Sequence, residues 1–147
     1  MSLCKTAEQR SQVVQGVVVI VHRGGRSLMI RRAAGMVAGG AWYFVGGAIK
    51  PGETQSEVMV RQLAEEVGGH VEPQRKIWEY KRPDGKLLLH WRLAKIKAGI
   101  LRPNAAEVAE LRWCTPEEVE VLPWVLESNL RFVKVVGSQM IQATAWG

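Results

Sequence analysis

The stretch that most constrains this chain runs from Gly46 to Gly69 and joins a glycine-rich loop to a helix. Thr54 or Ser56 can cap the start of that helix. Gly68-Gly69 stops it, because glycine accepts the left-handed conformation that a helix end requires. Apolar residues recur at the spacing of a buried helical stripe, and they are Val60, Leu63, Ala64 and Val67. The stretch therefore predicts a helix that packs one face against the rest of the fold.

Three polar residues, Gln62, Glu65 and Glu66, fall on the opposite side of this predicted helix. Adjacent carboxylates repel each other unless a cation or a proton lies between them. The preceding loop, Val45-Gly46-Gly47, lets the backbone approach a ligand closely. Carboxylate and carbonyl oxygens are hard ligands that suit magnesium or manganese, and magnesium commonly shares its coordination shell with phosphates. The pattern predicts metal-assisted chemistry on a phosphate ester or anhydride.

The same residues resemble the Nudix box, in which glycine, glutamate and a segment Arg-Glu-apolar-any-Glu-Glu-any-Gly-apolar stand at fixed spacing. The matching positions are Gly47, Glu53, Arg61, Leu63, Glu65, Glu66 and Gly68. Two positions depart, because Gln62 stands where the family has glutamate and Gly69 where it has an apolar residue. Fixed positions at fixed spacing are far more specific than a lone glycine motif. The preceding segments 27–32 and 42–47 also resemble the family, although Val45 replaces the common proline.

The resemblance implies an α/β fold, the Nudix α/β/α sandwich, with a mixed sheet packed between helices. It implies a metal-dependent hydrolase that cleaves a diphosphate linkage in a nucleoside diphosphate linked to another moiety. Mg²⁺ or Mn²⁺ would be the cofactor, held by Glu65, Glu66 and the carbonyl of Gly46. The family pattern also implies that Arg61 and Glu53 pair with each other and hold the loop against the helix.

Gln62 changes these expectations. In the family the glutamate at this position contributes to the metal cluster, and in some members it helps to activate water. Glutamine offers a carbonyl oxygen but adds no charge and takes up no proton at neutral pH. We therefore expect weaker metal affinity, and two hypotheses stay open: an attenuated enzyme, or a Nudix-fold module that binds nucleotides with little or no hydrolysis.

Other residues are candidates for the rest of the site. Glu107 or Glu110 could compensate for Gln62, and Glu110 is taken as a further metal ligand; Glu79 is a third candidate. The alternative for each is plain surface charge. The predicted substrate-binding residues are Arg31, Arg32 and Trp42. Arginine suits bidentate contact with phosphate, and tryptophan can stack on a base, while the alternatives are an exposed basic edge and core packing.

Strand and turn signals outside the box predict two hairpins, one further strand and two C-terminal helices. The hairpins comprise strands 13–22 with 27–32 and 71–81 with 86–97. Residues 107–113 predict another strand, Thr115 begins a short helix, and 123–136 form a helix that ends at Gly137. The glycine-rich loop 33–41 is either a lid or a plain connection.

The chain has 147 residues and a formal net charge of +6. Its length predicts one domain, 1–147, with a loose N-terminal segment, 1–12, and an uncertain tail, 138–147. The dispersed basic residues favour a nucleotide-type small molecule as partner and argue against a third hypothesis, a sequence-independent nucleic-acid binder. Two cysteines, Cys4 and Cys114, and no visible signal peptide fit a cytoplasmic protein. The longest apolar run is too short to cross a membrane. A homodimer is compatible with the resemblance.

Overall fold

The computed structural model describes residues 13–146, with side chains described as far as residue 137. The predicted loose segment 1–12, including Cys4, lies outside the described residues. The described elements are strands β1 (Val14–Arg23), β2 (Arg26–Arg32), β3 (Trp42–Phe44), β4 (Gly46–Ala48), β5 (His70–Lys81), β6 (Leu87–Ala98) and β7 (Val108–Cys114), and helices α1 (Gln55–Val67), α2 (Pro116–Glu120) and α3 (Glu127–Trp146).

The strands form one mixed sheet with β1 at its centre. The main strand order is β3-β2-β1-β6-β5, while β4 pairs with β1 and β7 pairs with β2. β1 runs parallel to β6 but antiparallel to β2 and β4. The valine-rich centre of β1 is buried on both faces of the sheet, as its unbroken apolar run predicts.

The two faces of the sheet are covered by different helices. Val17, Val19 and Val21 of β1 pack on the side of α1. The intervening residues Val18 and Ile20 pack on the other side, in a cluster with the described part of α3. This alternation follows from the two-residue period of a strand. The α/β/α sandwich with a mixed sheet is confirmed.

Turn and helix-capping residues predicted most boundaries of the strands and helices correctly. Gly24 and Gly25 both have positive φ in the β1–β2 turn, as the first predicted hairpin requires. Thr54 and Thr115 each close a capping box, with Glu57 and Glu118 respectively, at the starts of α1 and α2.

The predicted stripe on α1 was wrong at two of its four positions. Val60 is 41% exposed, and Ala64 is also exposed. The helix instead buries Val58, Met59, Leu63 and Val67 against the sheet. The stripe is rotated relative to the prediction, and this rotation brings Glu66, which is only 7% exposed, to the edge of the core.

The C-terminal helix differs from its prediction at both ends. It begins at Glu127, because the backbone of Trp124 and Leu126 hydrogen-bonds with Trp42 of β3 and so runs alongside that strand. It continues through Gly137 to Trp146, although Gly137 was predicted to end it. A Cβ at Gly137 would lie 3.1 Å from the Cβ of Pro116, so this glycine allows α3 to approach α2 closely.

No helix among the described residues is long and apolar enough to cross a membrane. Cys114 is buried and carries no disulfide within the described part of the chain.

Candidate active site

The glycine loop lies directly against the central strand. Gly46 and Gly47 pair with Val18 and Val17 of β1. A Cβ at Gly46 would lie 2.5 Å from the carbonyl oxygen of Val17, so no larger residue fits there without a shift of the backbone. The sheet therefore fixes the position of the Gly46 carbonyl.

Arg61 connects the loop to α1. Its Nε donates to Glu53 Oε2 at 2.7 Å, and its Nη2 donates to Glu53 Oε1 at 2.9 Å and to the Ala48 carbonyl at 3.1 Å. These hydrogen bonds, with one from the Lys50 backbone, lower the pKa of Glu53 to about 2. The predicted pair is confirmed, and it holds the loop on the helix as a bidentate contact does.

Glu66 is the buried acid of the site. Tyr43 Oη donates to its Oε1 at 3.5 Å. Burial, and secondly the charge of Glu107, raise the pKa of Glu66 to about 7. Burial and the charge of Glu66 in turn raise the pKa of Tyr43 to about 12. A carboxyl that releases its proton near neutral pH is typical of functional sites.

The Gln62 side chain lies between the residues just described. Its neighbours assign the orientation of its amide: with Nε2 directed at the Gly46 carbonyl and at Glu66 Oε2, 3.1 Å from each, its Oε1 accepts from Arg61 Nη1 at 2.7 Å. In the opposite orientation the amide oxygen of Gln62 would face two acceptor oxygens and could bond to neither. The hydrogen-bonding neighbours therefore favour the orientation with the nitrogen on that side.

Glu65 is the exposed acid of the predicted pair. Its side chain is 55% exposed and lies 3.6 Å from Arg61 Nη1. Within the described residues, no group of three or more His, Cys, Asp or Glu side chains is arranged to hold a metal ion. Of the predicted metal ligands on the box, Glu66 is buried beside the Gly46 carbonyl, and Glu65 lies at the surface.

The chemistry of these donors nevertheless fits a hard divalent cation. The Gly46 carbonyl and Glu66 Oε2 both lie 3.1 Å from one atom, the Gln62 nitrogen, so the two oxygens converge on a shared position. Oxygen donors of these kinds are those that Mg²⁺ and Mn²⁺ prefer.

A cleft of about 280 Å³ opens beside the glycine loop. Its walls come from β1, β4, the start of β6 and the start of α3, and they include Val14, Gly16, Leu87, Leu89 and Leu126. Arg32 and Tyr43 also line it. The Nε of Arg32 is buried and finds no hydrogen-bond partner among the described residues, while its Nη1 reaches the Val37 carbonyl only at 3.4 Å.

The structure does not bring Glu110 to the other predicted metal ligands. Glu110 accepts from Arg31 Nε at 3.2 Å and from Arg112 Nη2 at 3.0 Å. It pairs with Arg31 across the β2–β7 ladder, on the sheet face opposite α1. Trp42 lies on that face too, 3% exposed, with the Arg112 guanidinium 5.0 Å from its ring centroid. Neither Arg31 nor Trp42 lines the cleft, unlike Arg32.

Glu107 is placed differently from Glu110. After burial, its charge is the next cause of the raised pKa of Glu66. Glu79 belongs to a separate group on β5, where it pairs with Lys76 and lies 3.5 Å from His90 Nδ1. Of the candidates for a compensating acid, only Glu107 is linked to Glu66 by the electrostatics of the structure.

Sequence reasoning missed Tyr43 and Asn129. Asn129 is 6% exposed, lines the cleft, and accepts the Phe44 backbone N–H at 2.9 Å. Its signal was visible, because a polar residue occupies an apolar position of the helical period in 125–136. Tyr43 carried no comparable signal within its aromatic strand.

Comparisons with known proteins agree with this geometry. The NUDIX domain model matches residues 11–135. The chain is 29% identical over 115 residues to CTP pyrophosphohydrolase of Escherichia coli (strain K12). The aligned region covers 76% of this chain and 83% of that protein. It is 26% identical over 121 residues to an NAD-capped RNA hydrolase of Chromobacterium violaceum, covering 82% of this chain but only 45% of that protein. The solution structure of the E. coli ORF135 protein matches with a TM-score of 0.70 at 25% identity, covering 90% of this chain and 92% of the other.

Proposed function

This chain belongs to the Nudix family of hydrolases, which act on pyrophosphate bonds, and we propose that it cleaves a diphosphate linkage in a nucleoside diphosphate linked to another moiety. The observation that carries the proposal is the convergence of the Gly46 carbonyl and the buried Glu66 carboxylate, together with the cleft that Gly46 lines. Metal-dependent phosphate chemistry needs such oxygens next to a space for the substrate.

Gly46, Glu66 and Glu65 are the residues that would hold Mg²⁺ or Mn²⁺. Such a cation neutralises phosphate oxygens and lowers the pKa of an attacking water. The protein's own contribution is rigidity: the sheet fixes Gly46, and the Arg61–Glu53 pair fixes the loop on α1. The side chain of Glu65 is exposed beside Arg61, so it can turn toward a ligand at the surface.

Glu107 is the proposed general base. A base must accept the proton of the water whose oxygen attacks phosphorus while the bridging P–O bond breaks. Gln62 takes up no proton at neutral pH. Glu107 is partly buried and close enough to affect the pKa of Glu66, so it supplies the carboxylate that the box lacks.

Arg32 is the proposed phosphate-binding residue, and the cleft is the proposed nucleoside site. The buried Nε of Arg32 has an unused hydrogen to donate, and arginine binds phosphate oxygens through just such donors. The apolar walls of the cleft suit a base and sugar, and Asn129 adds a fixed polar group, as small-molecule sites commonly do.

The test is a phosphate-release assay over CTP, 8-oxo-dGTP, ADP-ribose, dinucleoside polyphosphates, NADH and CoA, with Mg²⁺ and with Mn²⁺. Turnover of at least one compound that is abolished by EDTA and by Glu66→Gln supports the hydrolase. Turnover that persists in Glu66→Gln would contradict the assignment of the site.

One observation favours a second candidate, a nucleotide-binding module with little hydrolysis. The Gln62 amide already occupies the position on which the two oxygens converge. This candidate predicts that no compound of the panel is turned over, although nucleotides bind measurably by calorimetry. Strong salt-dependent binding to single-stranded RNA, without nucleotide affinity, would oppose both candidates.

A further inference from the structure

The hydrogen bonds of Gln62 place its amide nitrogen against both the Gly46 carbonyl and the Glu66 carboxylate, the two oxygens proposed above to hold the cation. Each of those oxygens is 3.1 Å from the nitrogen, and Arg61 holds the amide oxygen at 2.7 Å. A Cβ at Gly47 would overlap the end of the Gln62 side chain, so this glycine leaves the space that the amide fills. The amide is therefore fixed at both ends.

A primary amide and a divalent cation satisfy the same oxygens in different ways. The amide nitrogen has two hydrogens, one for each of the two acceptors it touches. A glutamate at this position would have no hydrogen to donate at neutral pH and would add a second negative charge beside Glu66. The box of this chain is therefore stable without a cation in a way that an all-carboxylate box is not.

We infer that Gln62 is an internal competitor of the cation: its amide binds the Gly46 carbonyl and the Glu66 carboxylate in the metal-free protein and must move away before a cation can bind both. The inference rests on the cation site proposed above. It assigns Gln62 as a positioning residue that keeps the metal-free site ordered and sets a threshold cation concentration for activity. The alternative is that Gln62 ligates the cation through its own oxygen.

Gln62→Met separates these two roles, whereas Gln62→Glu does not. Glutamate would raise cation affinity in either case, because it adds charge. Methionine has a similar length but neither the amide hydrogens nor a hard oxygen. If Gln62 competes with the cation, its replacement by methionine frees the two oxygens. Mn²⁺ should then bind roughly tenfold more tightly, because two modest hydrogen bonds no longer oppose it. If Gln62 is instead a ligand, Mn²⁺ should bind more weakly to Gln62→Met.

The experiment is a calorimetric titration of the full chain with Mn²⁺ alone, paired with thermal unfolding in EDTA. Gln62→Met should bind Mn²⁺ more tightly than the wild type and unfold at a lower temperature in EDTA. Gln55→Met is the matched control: it makes the same substitution on the same helix, where Gln55 Oε1 accepts from Arg92 at 3.2 Å, away from Gly46 and Glu66. It should leave the Mn²⁺ affinity unchanged.

The side-chain amide signals of Gln62 give a second readout on the unmodified protein. In EDTA they should exchange slowly with solvent, and saturating Mg²⁺ should move them toward the position and exchange rate of exposed glutamines. Amide signals that stay protected in Mg²⁺ would overturn the inference even if Gln62→Met does not fold.

The outcomes also separate this inference from the proposed function. Equal or weaker Mn²⁺ binding by Gln62→Met, with clear binding by the wild type, overturns the competitor and leaves the hydrolase intact. An absence of Mn²⁺ uptake in the wild type, Gln62→Met and Gln62→Glu alike would overturn both.

Discussion

Burial raises the pKa of the Glu66 carboxyl, and the charge of Glu107 raises it further. Glu110, three residues further along the same strand region, is instead held by Arg31 and Arg112 on the opposite face of the sheet. The two acids therefore differ in what they can do, although they look equivalent in sequence.

Replacing Glu107 by glutamine should reduce kcat strongly. The loss should be on the order of a hundredfold or more, which is what general-base removal commonly costs. The KM of the best substrate should change little, because Glu107 does not line the cleft. Steady-state kinetics with Mg²⁺ measures both constants. Glu110→Gln is the control and should retain activity within a few-fold; if it is the more damaging substitution, the assignment of the base is wrong.

The metal-free protein should lose stability as the pH rises from 5 to 8 through ionisation of Glu66. Its pKa is about 7 in the folded protein and 4.5 in the reference state. Because the folded state disfavours the ionised carboxyl, the fold loses stability as the pH rises from 4.5 toward 7, and the loss is complete above 7. Glu66→Gln lacks this ionisation.

Urea unfolding in EDTA tests this prediction as a difference between the two proteins. The stability of Glu66→Gln relative to the wild type should increase from pH 5 to pH 8. With excess Mn²⁺ the wild type should regain the advantage, because a cation binds the ionised form. A difference that is independent of pH in EDTA would show that Glu66 ionises normally.

The box was predictable from sequence because its geometry is local. Arg61 and Glu53 are separated by a loop and a capped helix start, and the family pattern implied the contact that the structure has. The face of the sheet on which Glu110 lies was not predictable from sequence. The register of β2 with β7 shifts between Arg31 and Arg32, and such a bulge reverses which side chains share a face.

Gly137 and Gln62 show a second limit of sequence reasoning. A glycine after an apolar period indicates a helix end, but the close approach of Pro116 explains the same glycine through packing. Gln62 was expected to weaken the metal site by its missing charge. That its amide hydrogens engage both the Gly46 carbonyl and Glu66 depends on side-chain directions, which residue spacing does not specify.

The Glu53–Arg61 pair should stabilise the protein at neutral pH and cease to do so in acid. The pKa of Glu53 is lowered to about 2, so its contribution is present above 4.5 and is lost as the pH falls toward 2. Glu53→Gln should be less stable than the wild type at pH 7, with a gap that narrows at pH 3. Urea unfolding at both pH values measures the gap. Glu72→Gln, at an exposed position of β5, should behave as the wild type at both.

Removing the Arg32 guanidinium should weaken substrate binding more than catalysis. Arg32 lines the cleft with a buried, unpartnered Nε, so Arg32→Met should raise KM about tenfold or more while kcat changes less, since a phosphate contact made equally in ground and transition states affects KM alone. Arg32→Lys keeps the charge but loses the planar fork, and it should restore only part of the affinity.

Arg31→Met removes the neighbouring guanidinium, which pairs with Glu110 outside the cleft, and KM should stay near the wild-type value. Thermal unfolding checks that Arg32→Met still folds, because the guanidinium also lies 4.5 Å from the Tyr43 ring centroid. If both arginine variants raise KM equally, a general basic surface, and not Arg32 in the cleft, attracts the substrate.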